Sequence, residues 1–178
     1  LDMSNMKTIA CLLLELGMCH ASVMGQAQHK AVNIGVGVNH HTADSTLYSS
    51  GNLALFGAVD TLRGVQIGAF SSVVRNQMRG VNIAGVMNAG GKDMRGVQIS
   101  GVTNVLTKGN GLQLSLFSNM SATPFRGIQF TGLSNVSMGM KRGIQVAASN
   151  VCSSNMRGVQ LGGYNYADTL SGSQFGLV

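Results

Sequence analysis

Apolar and polar side chains alternate along most of this chain in one short pattern that recurs many times. Its clearest copy is RGVQISGVTN, from Arg95 to Asn104, in which Val-Gln-Ile alternates apolar and polar residues. Alternation of this kind, rich in β-branched residues, is typical of a β-strand. One copy begins at Asn110, and the others begin at Arg63, Arg79, Arg95, Arg126, Arg142 and Arg157.

The glycine that follows each of these first residues returns at intervals of 15 or 16 residues. A unit of that length has room for a strand of about six residues and about ten residues of turn. It could therefore be one arm of a hairpin or one coil of a solenoid. The glycines are Gly64, Gly80, Gly96, Gly111, Gly127, Gly143 and Gly158.

Each position of the unit keeps its residue from copy to copy, and not merely its polarity. Parallel in-register stacking places identical side chains about 4.8 Å apart, so amides can hydrogen-bond from coil to coil. A hairpin series offers no comparable reason, although Asn110-Gly111 is one strong hairpin signal. The prediction is an all-β fold, a parallel β-solenoid of coils of about 16 residues with an irregular N-terminal cap.

Glutamine and asparagine recur at two fixed places of the unit and are predicted to form a structural ladder. Each amide bond is worth about 1 kcal/mol net, but burying an amide without it costs more. The alternative is that these amides present a polar face to carbohydrate. The ladder residues are Gln66, Gln98, Gln113, Gln129, Gln145, Gln160, Asn88, Asn104, Asn119, Asn135, Asn150 and Asn165.

The apolar positions of the unit are expected to face the interior of the coil. In the clearest copy these are Met94, Val97, Ile99, Val102 and Val105. The methionines that precede the Arg-Gly pair are predicted to fill the core. The small residues after the strand are expected where the coil turns.

The ends of the chain depart from the regular pattern. Residues 1–27 are predicted to be a signal peptide with upstream read-through, because a short apolar run follows Lys7 and small residues precede the expected cleavage point. Residues 28–62 are predicted to be a degenerate cap with the first coils, since terminal repeats are commonly atypical. Residues 63–178 carry the regular repeats, and their last copy stops before its expected Asn, which predicts a longer natural protein. With its cap, the solenoid would have about nine or ten coils.

Composition narrows the class of protein. Only 10% of the residues are charged, against about a quarter in an ordinary globular chain, and 25 of the 178 residues are glycine. These values argue against an enzyme-like globule. The 12 basic and 6 acidic residues give a net charge of +6, which indicates an anionic partner or surface.

In a parallel stack the arginines of successive units would form a column, with Asn110 interrupting it. Guanidinium groups about 4.8 Å apart repel by roughly 0.9 kcal/mol even in water, and salt screens this only partly. Stacking does not require arginine, so we predict that the column binds anionic polysaccharide or lipopolysaccharide, and no specific nucleic acid. The alternative is a solvated stripe whose aliphatic stems cover apolar neighbours.

No arrangement of catalytic or metal-binding residues is evident in the sequence. Glycan-cleaving β-helices need charged groups gathered in a cleft, whereas the aspartates after residue 27 fall in different units. His40-His41 with Asp44 matches no specific ligand spacing, and Cys152, expected in a turn, has no fixed partner. The prediction is a protein that is not an enzyme and has no metal, no cofactor and no transmembrane helix.

Units such as RGVQLGGYN, Arg157 to Asn165, and the final GSQFGLV resemble the GLQIGLxN-type surface-repeat proteins of Gram-negative bacteria, such as those of Bacteroidetes and spirochaetes. The resemblance spans roughly residues 31–178. It implies an exported protein of the cell surface or outer membrane. A weaker similarity is to curli-type fibre subunits, whose Gln-x-Gly-x-x-Asn motif matches Gln160 to Asn165.

The predicted function is a structural or adhesive role at the bacterial surface, with an anionic glycan or lipopolysaccharide bound through the arginine ladder. One alternative is a self-associating fibre subunit, because the ends of a solenoid expose unpaired strand edges. A less favoured alternative is an outer-membrane β-barrel, whose strands also alternate. Such barrels carry aromatic girdles, and the six Phe and three Tyr of this chain form no regular array.

Overall fold

The computed structural model describes residues 32–34, 38–40 and 49–177. This part is almost entirely β-strand, and 13 strands form one sheet in which neighbouring strands run parallel. The strands are β1 Val32–Ile34, β2 Val38–His40, β3 Ser49–Ala84, β4 Met87–Gly90, β5 Asp93–Ser100, β6 Thr103–Leu106, β7 Gly109–Ser115, β8 Ser118–Ser121, β9 Phe125–Thr131, β10 Ser134–Ser137, β11 Met140–Val146, β12 Ser149–Leu161 and β13 Tyr164–Phe175.

Most coils contribute one long and one short strand, and the two kinds form opposite faces. The long-strand face runs β3-β5-β7-β9-β11-β12, and the short-strand face runs β3-β4-β6-β8-β10-β12. Because β3 and β12 belong to both faces, the sheet encloses an interior. The result is a parallel β-solenoid of about six turns with a spacing of about 16 residues, as predicted. The expected nine or ten coils included the cap, part of which lies outside the described residues.

Equivalent residues of successive coils lie beside one another in the sheet. Asn110 is inside β7, between Arg95 of β5 and Arg126 of β9, so the Asn110-Gly111 dipeptide forms no hairpin. The extra residue Lys141 is accommodated by a register shift in β11, after which the pairing resumes. Variation in repeat length is therefore absorbed without loss of the stack.

In the long strands the polar side chains point inward and the apolar side chains point outward, which is the opposite of what hydrophobicity predicts. Gln98 is fully buried, whereas Ile99 is 36% exposed and Val97 is half-buried on the outer side. Val102, at the corner that follows β5, is 38% exposed. The prediction that Val97, Ile99 and Val102 point inward is wrong, because the amide of the strand occupies the interior and its neighbours must then face outward.

One side of the interior is nevertheless apolar, and Met94 is buried there as predicted. Val105 is also buried, but on the other side of β6, because its neighbours Asn104 and Leu106 point into the interior. The methionines that precede the Arg-Gly pair contact side chains from the short strands, and Phe125 replaces a methionine in one coil. The cluster comprises Val59, Leu62, Val74, Met78, Met94, Leu106, Phe125, Met140, Cys152 and Met156. The remaining side of the interior is filled by amides and hydroxyls.

The glycine of the unit allows the coils to stack closely. A Cβ atom at Gly127 would lie 1.9 Å from the carbonyl oxygen of Gly111, and the same distance separates a Cβ at Gly80 from the oxygen of Gly64. Any side chain there would push the coils apart. The backbone at these positions also has φ values between 134° and 156°, which L side chains rarely adopt; the residues are Gly64, Gly80, Gly96, Gly111, Gly127, Gly158 and Gly172.

Only part of the predicted N-terminal region lies among the described residues. Residues 1–27, the predicted signal peptide, lie outside the described residues. Of the predicted cap, β1, β2 and the start of β3 are described, and Asn33 of β1 lies opposite Asn52 of β3 in a parallel pair. The described part of the chain contains no helix that could span a membrane.

Candidate functional site

The glutamines of the long strands form a ladder inside the coils. Each Nε2 donates to Oε1 of the preceding coil, beginning with Gln113 to Gln98 at 2.9 Å. The next three rungs measure 2.8, 2.8 and 2.7 Å, and Gln174 adds a further one onto Gln160. Because these side chains have no exposure to solvent up to Gln160, they present no polar face to carbohydrate.

The asparagines of the short strands form a second ladder of opposite sense. Each Nδ2 donates to Oδ1 of the following coil at 2.9 or 3.0 Å, from Asn88 up to Asn165. The same nitrogen donates to a backbone carbonyl of the following long strand, as Asn104 does to Leu114 at 2.6 Å. Each asparagine therefore joins neighbouring coils and also ties the two faces together across the corner.

Both ladders are interrupted at one place near the start of the regular repeats. Asn82 stands where other units have Gln, and Ser72 stands where they have Asn. The Ser72 hydroxyl accepts from Gln66 at 2.5 Å and donates to Asn82. Four buried atoms of this region have no hydrogen-bond partner: Gln66 Oε1, Asn82 Nδ2, Asn88 Oδ1 and Gln98 Nε2. We attribute this to the shorter side chains, which cannot reach both neighbours.

The arginines predicted to bind anions stand in line on the outer side of the long-strand face. Arg79 lies opposite Arg95, and Arg126 lies opposite Arg142. Asn110 separates these two pairs, as the repeat predicts. The side chains of all six arginines predicted to bind anions are exposed.

Arg63 and Arg157 stand at the two ends of this arginine column. The glycines that follow them continue the glycine stack, which places both arginines at the same position of the coil. The stack therefore brings together all six residues that the sequence singled out.

Acidic side chains are scarce around the column. Arg95 Nε lies 3.5 Å from Asp93 Oδ2, and Arg75, outside the column, lies 3.5 Å from the buried Asp60. Within the described part of the chain, no acidic side chain pairs with Arg79, Arg126, Arg142 or Arg157. These four guanidinium groups are available to an external anion.

An open depression of about 320 Å³ lies beside the C-terminal half of the column. Arg126 and Arg157 line it together with Ser154, Asn155 and Pro124. Guanidinium groups bind phosphate, sulfate and carboxylate with paired hydrogen bonds, and the hydroxyl and amide can bind sugar oxygens. The depression can therefore accept an anionic group attached to a sugar-sized body.

Among the described residues, the other side chains capable of catalysis or metal binding form no site. Cys152 lies inside β12 rather than in a turn, and its side chain is fully buried. Burial raises the pKa of this thiol, which disfavours the thiolate that a nucleophile requires. His41 and Asp44 lie outside the described residues, as does the side chain of His40. Among the residues that are described, no three His, Cys, Asp or Glu side chains are placed to hold a metal ion.

Sequence reasoning missed a large apolar surface next to the arginine column. The residues one and three places after each repeat glycine point outward, as does the corner residue six places after it. We call this surface the apolar face. Its most exposed members are Val65, Ile67, Phe70, Val86, Val102, Phe117, Ile128, Phe130, Leu133, Ile144 and Leu161. The sequence contained one sign of this surface. The positions one and three places after the glycines from Gly64 to Gly158 vary among Val, Ile, Leu and Phe, whereas the inward position between them is almost always Gln.

No protein family, no curated protein and no solved structure matches this chain.

Proposed function

We propose that this protein is an exported repeat protein of the bacterial surface with a structural and adhesive role, and that it binds anionic polysaccharide through the arginine column. The phosphorylated sugars of lipopolysaccharide belong to the same ligand chemistry. The observation that carries the proposal is the column itself, in which exposed arginines repeat in register with few acidic neighbours. The apolar start of the sequence supports export.

A repeating polyanion suits this arrangement better than a single small anion does. Neighbouring arginines repel, and an anion between two of them converts that repulsion into two favourable contacts. Individual exposed ion pairs contribute little. A polymer that contacts several arginines at once gains from multivalency, because each later contact is intramolecular.

The test is binding of the full chain to heparin and to lipopolysaccharide, measured over a range of salt concentrations. We expect binding that weakens as salt rises, because exposed charge pairs are screened within about 8 Å at physiological ionic strength. The triple variant Arg126→Gln, Arg142→Gln, Arg157→Gln should lose most of the affinity. Lys108→Gln, which removes one exposed charge from a turn outside the column, is the control and should bind nearly as the natural chain does.

Asn110→Arg extends the same test in the opposite direction. It fills the gap in the column between Arg95 and Arg126, so we expect tighter binding and a steeper salt dependence. Unchanged affinity in both the triple variant and Asn110→Arg would contradict a role for the column.

A fibre subunit is the second candidate, and one observation favours it. Both ladders join matched amides of successive coils, as between Gln129 and Gln113 and between Asn119 and Asn135. Matched amide ladders of this kind also join separate chains in fibres. Thioflavin-positive fibres that form only above a threshold concentration would favour this function, whereas a stable monomer at high concentration would exclude it.

A further inference from the structure

The apolar face and the arginine column lie side by side on one outer surface. In β9, the side chains of Arg126, Ile128 and Phe130 point outward in a row, because the residues between them are a glycine and the buried Gln129. Ile128 is 43% exposed and Phe130 is 50% exposed. Most coils repeat this row of one basic and two apolar residues.

The apolar face covers an area comparable to that of known interaction sites. From Val65 to Val159 it spans about 29 Å along the stack, and about 16 Å from its first column to the corner, or about 450 Å². None of its positions in the described coils carries a charged side chain. A contiguous apolar surface of several hundred Å² marks an interaction site on a protein in water.

The arginine column indicates which kind of partner covers this face. A second copy would bring few acidic side chains to the arginines, because among the described residues Asp60 and Asp93 already pair within the chain and only the exposed Asp168 is left without an ion pair. The area also falls below the roughly 800 Å² per partner that a standard protein interface buries. A partner with both apolar and anionic groups can contact the apolar face and the arginine column at the same time.

We propose that the apolar face docks on a membrane surface that contains anionic lipid. The apolar side chains enter the boundary between headgroups and acyl chains, and the arginine column contacts the lipid phosphates. Proteins that lie in the membrane interface combine an apolar surface with basic residues in this way. The inference deepens the proposed function, since it uses the same arginines, but it adds the apolar face and a lipid as the partner.

The experiment is flotation of the full chain with vesicles of phosphatidylglycerol mixed with phosphatidylcholine, compared with vesicles of phosphatidylcholine alone. We expect binding to the anionic vesicles only. Arg126→Gln with Arg142→Gln should weaken it by about fivefold per arginine. Ile128→Ser with Phe130→Ser should weaken it by at least about tenfold, because two apolar side chains no longer enter the lipid.

The matched control removes two apolar side chains from the opposite face. Met120→Ser with Val136→Ser changes the outward, half-buried positions of β8 and β10, so we expect vesicle binding to be unchanged. Heparin binding separates this inference from the proposed function. Ile128→Ser with Phe130→Ser should keep heparin binding, whereas the arginine variant should lose both.

A fluorescent reporter keeps the inference testable if the serine variants fail to fold. The chain has no tryptophan, so Phe130→Trp introduces a single reporter in the apolar face. Anionic vesicles should shift its emission to the blue, and acyl-brominated lipid should quench it. Met120→Trp on the other face should show neither effect.

Three results would overturn the inference: no binding to anionic vesicles, no change in binding on removal of Ile128 and Phe130, or equal responses from Phe130→Trp and Met120→Trp. A natural chain that is dimeric and becomes monomeric with Ile128→Ser and Phe130→Ser would assign the face to a second copy and also overturn it. Vesicle binding without heparin binding would instead contradict the proposed function alone.

Discussion

The interior from Gln98 onward and the interior around Asn82 have the same stacked backbone but differ in how their amide side chains pair. In the first region each glutamine from Gln113 to Gln174 donates to the one before it, and the rungs measure 2.5 to 2.9 Å. In the second, Ser72 and Asn82 replace the longer amides, and four buried polar atoms lack partners. The glycine stack continues through both regions, and a Cβ atom added at Gly80 or at Gly127 would meet the preceding carbonyl oxygen at the same distance of 1.9 Å.

The comparison separates two contributions to the fold. Close backbone stacking depends on glycine and tolerates a defective amide rung. The amides add stability where neighbouring rungs match, and each unpaired buried group costs about 1–3 kcal/mol. Substitutions of the backbone glycine should therefore act equally in both regions, whereas substitutions of amides should act differently.

The largest effect is expected at the glycines. Gly127→Ala and Gly80→Ala should each destabilise the protein by about 3–5 kcal/mol, since a Cβ meets a carbonyl oxygen and the backbone has an unfavourable φ. Urea unfolding followed by circular dichroism measures this cost. Gly139→Ala is the control, because its Cβ would lie 3.3 Å from Pro124 Cγ and its φ is not in the positive region. A much smaller cost at Gly80 than at Gly127 would show that the backbone differs between the regions.

A medium effect is expected when one amide is replaced by an apolar side chain of similar shape. Gln129→Met leaves Gln113 Oε1 without its donor and removes the main acceptor of Gln145, so we expect a loss of about 2–4 kcal/mol. Asn82→Leu should cost about 1 kcal/mol, because Gln66 Oε1 and Gln98 Nε2 already lack partners. Equal free energies of unfolding for the two variants would contradict the contrast between regions.

The smallest effect is a gain in stability from repair of the interrupted rung. In Asn82→Gln the longer amide can donate to Gln66 and accept from Gln98, in the sense that the rest of the ladder already follows. Two new bonds should add about 1–2 kcal/mol. Asn82→Met has similar length without hydrogen-bonding groups and is the matched control. If the methionine variant is equally stable, the gain comes from filling space and not from the amide.

The sequence was sufficient to predict the coil and its stacking. Identical residues at identical positions require in-register neighbours, and this outweighed the hairpin signal of Asn110-Gly111, which lies within β7. The arginine column follows from the same register. What the pattern did not decide is which side of the strand faces inward, since alternation defines two faces and not their orientation.

Hydrophobicity gave the wrong orientation for Val97 and Ile99 because a stack changes the cost of burying an amide. A lone buried Gln98 would lose its hydrogen bonds to water, but in the stack it pairs with Gln113 above it. A column of inward amides that pair with one another therefore tolerates few substitutions, whereas a column of outward side chains tolerates many. The unusual backbone of the glycines was likewise indicated by their invariance within the chain, although the short distance to the preceding carbonyl is visible only in three dimensions.

The opposed senses of the two ladders have an electrical consequence. In an α-helix the peptide dipoles align and sum to about half an elementary charge at each end. Here the glutamine amides point along the stack in one direction and the asparagine amides in the other. Their moments cancel coil by coil, so a longer solenoid accumulates no polarisation from its side chains. The number of coils can therefore change without this electrostatic cost rising.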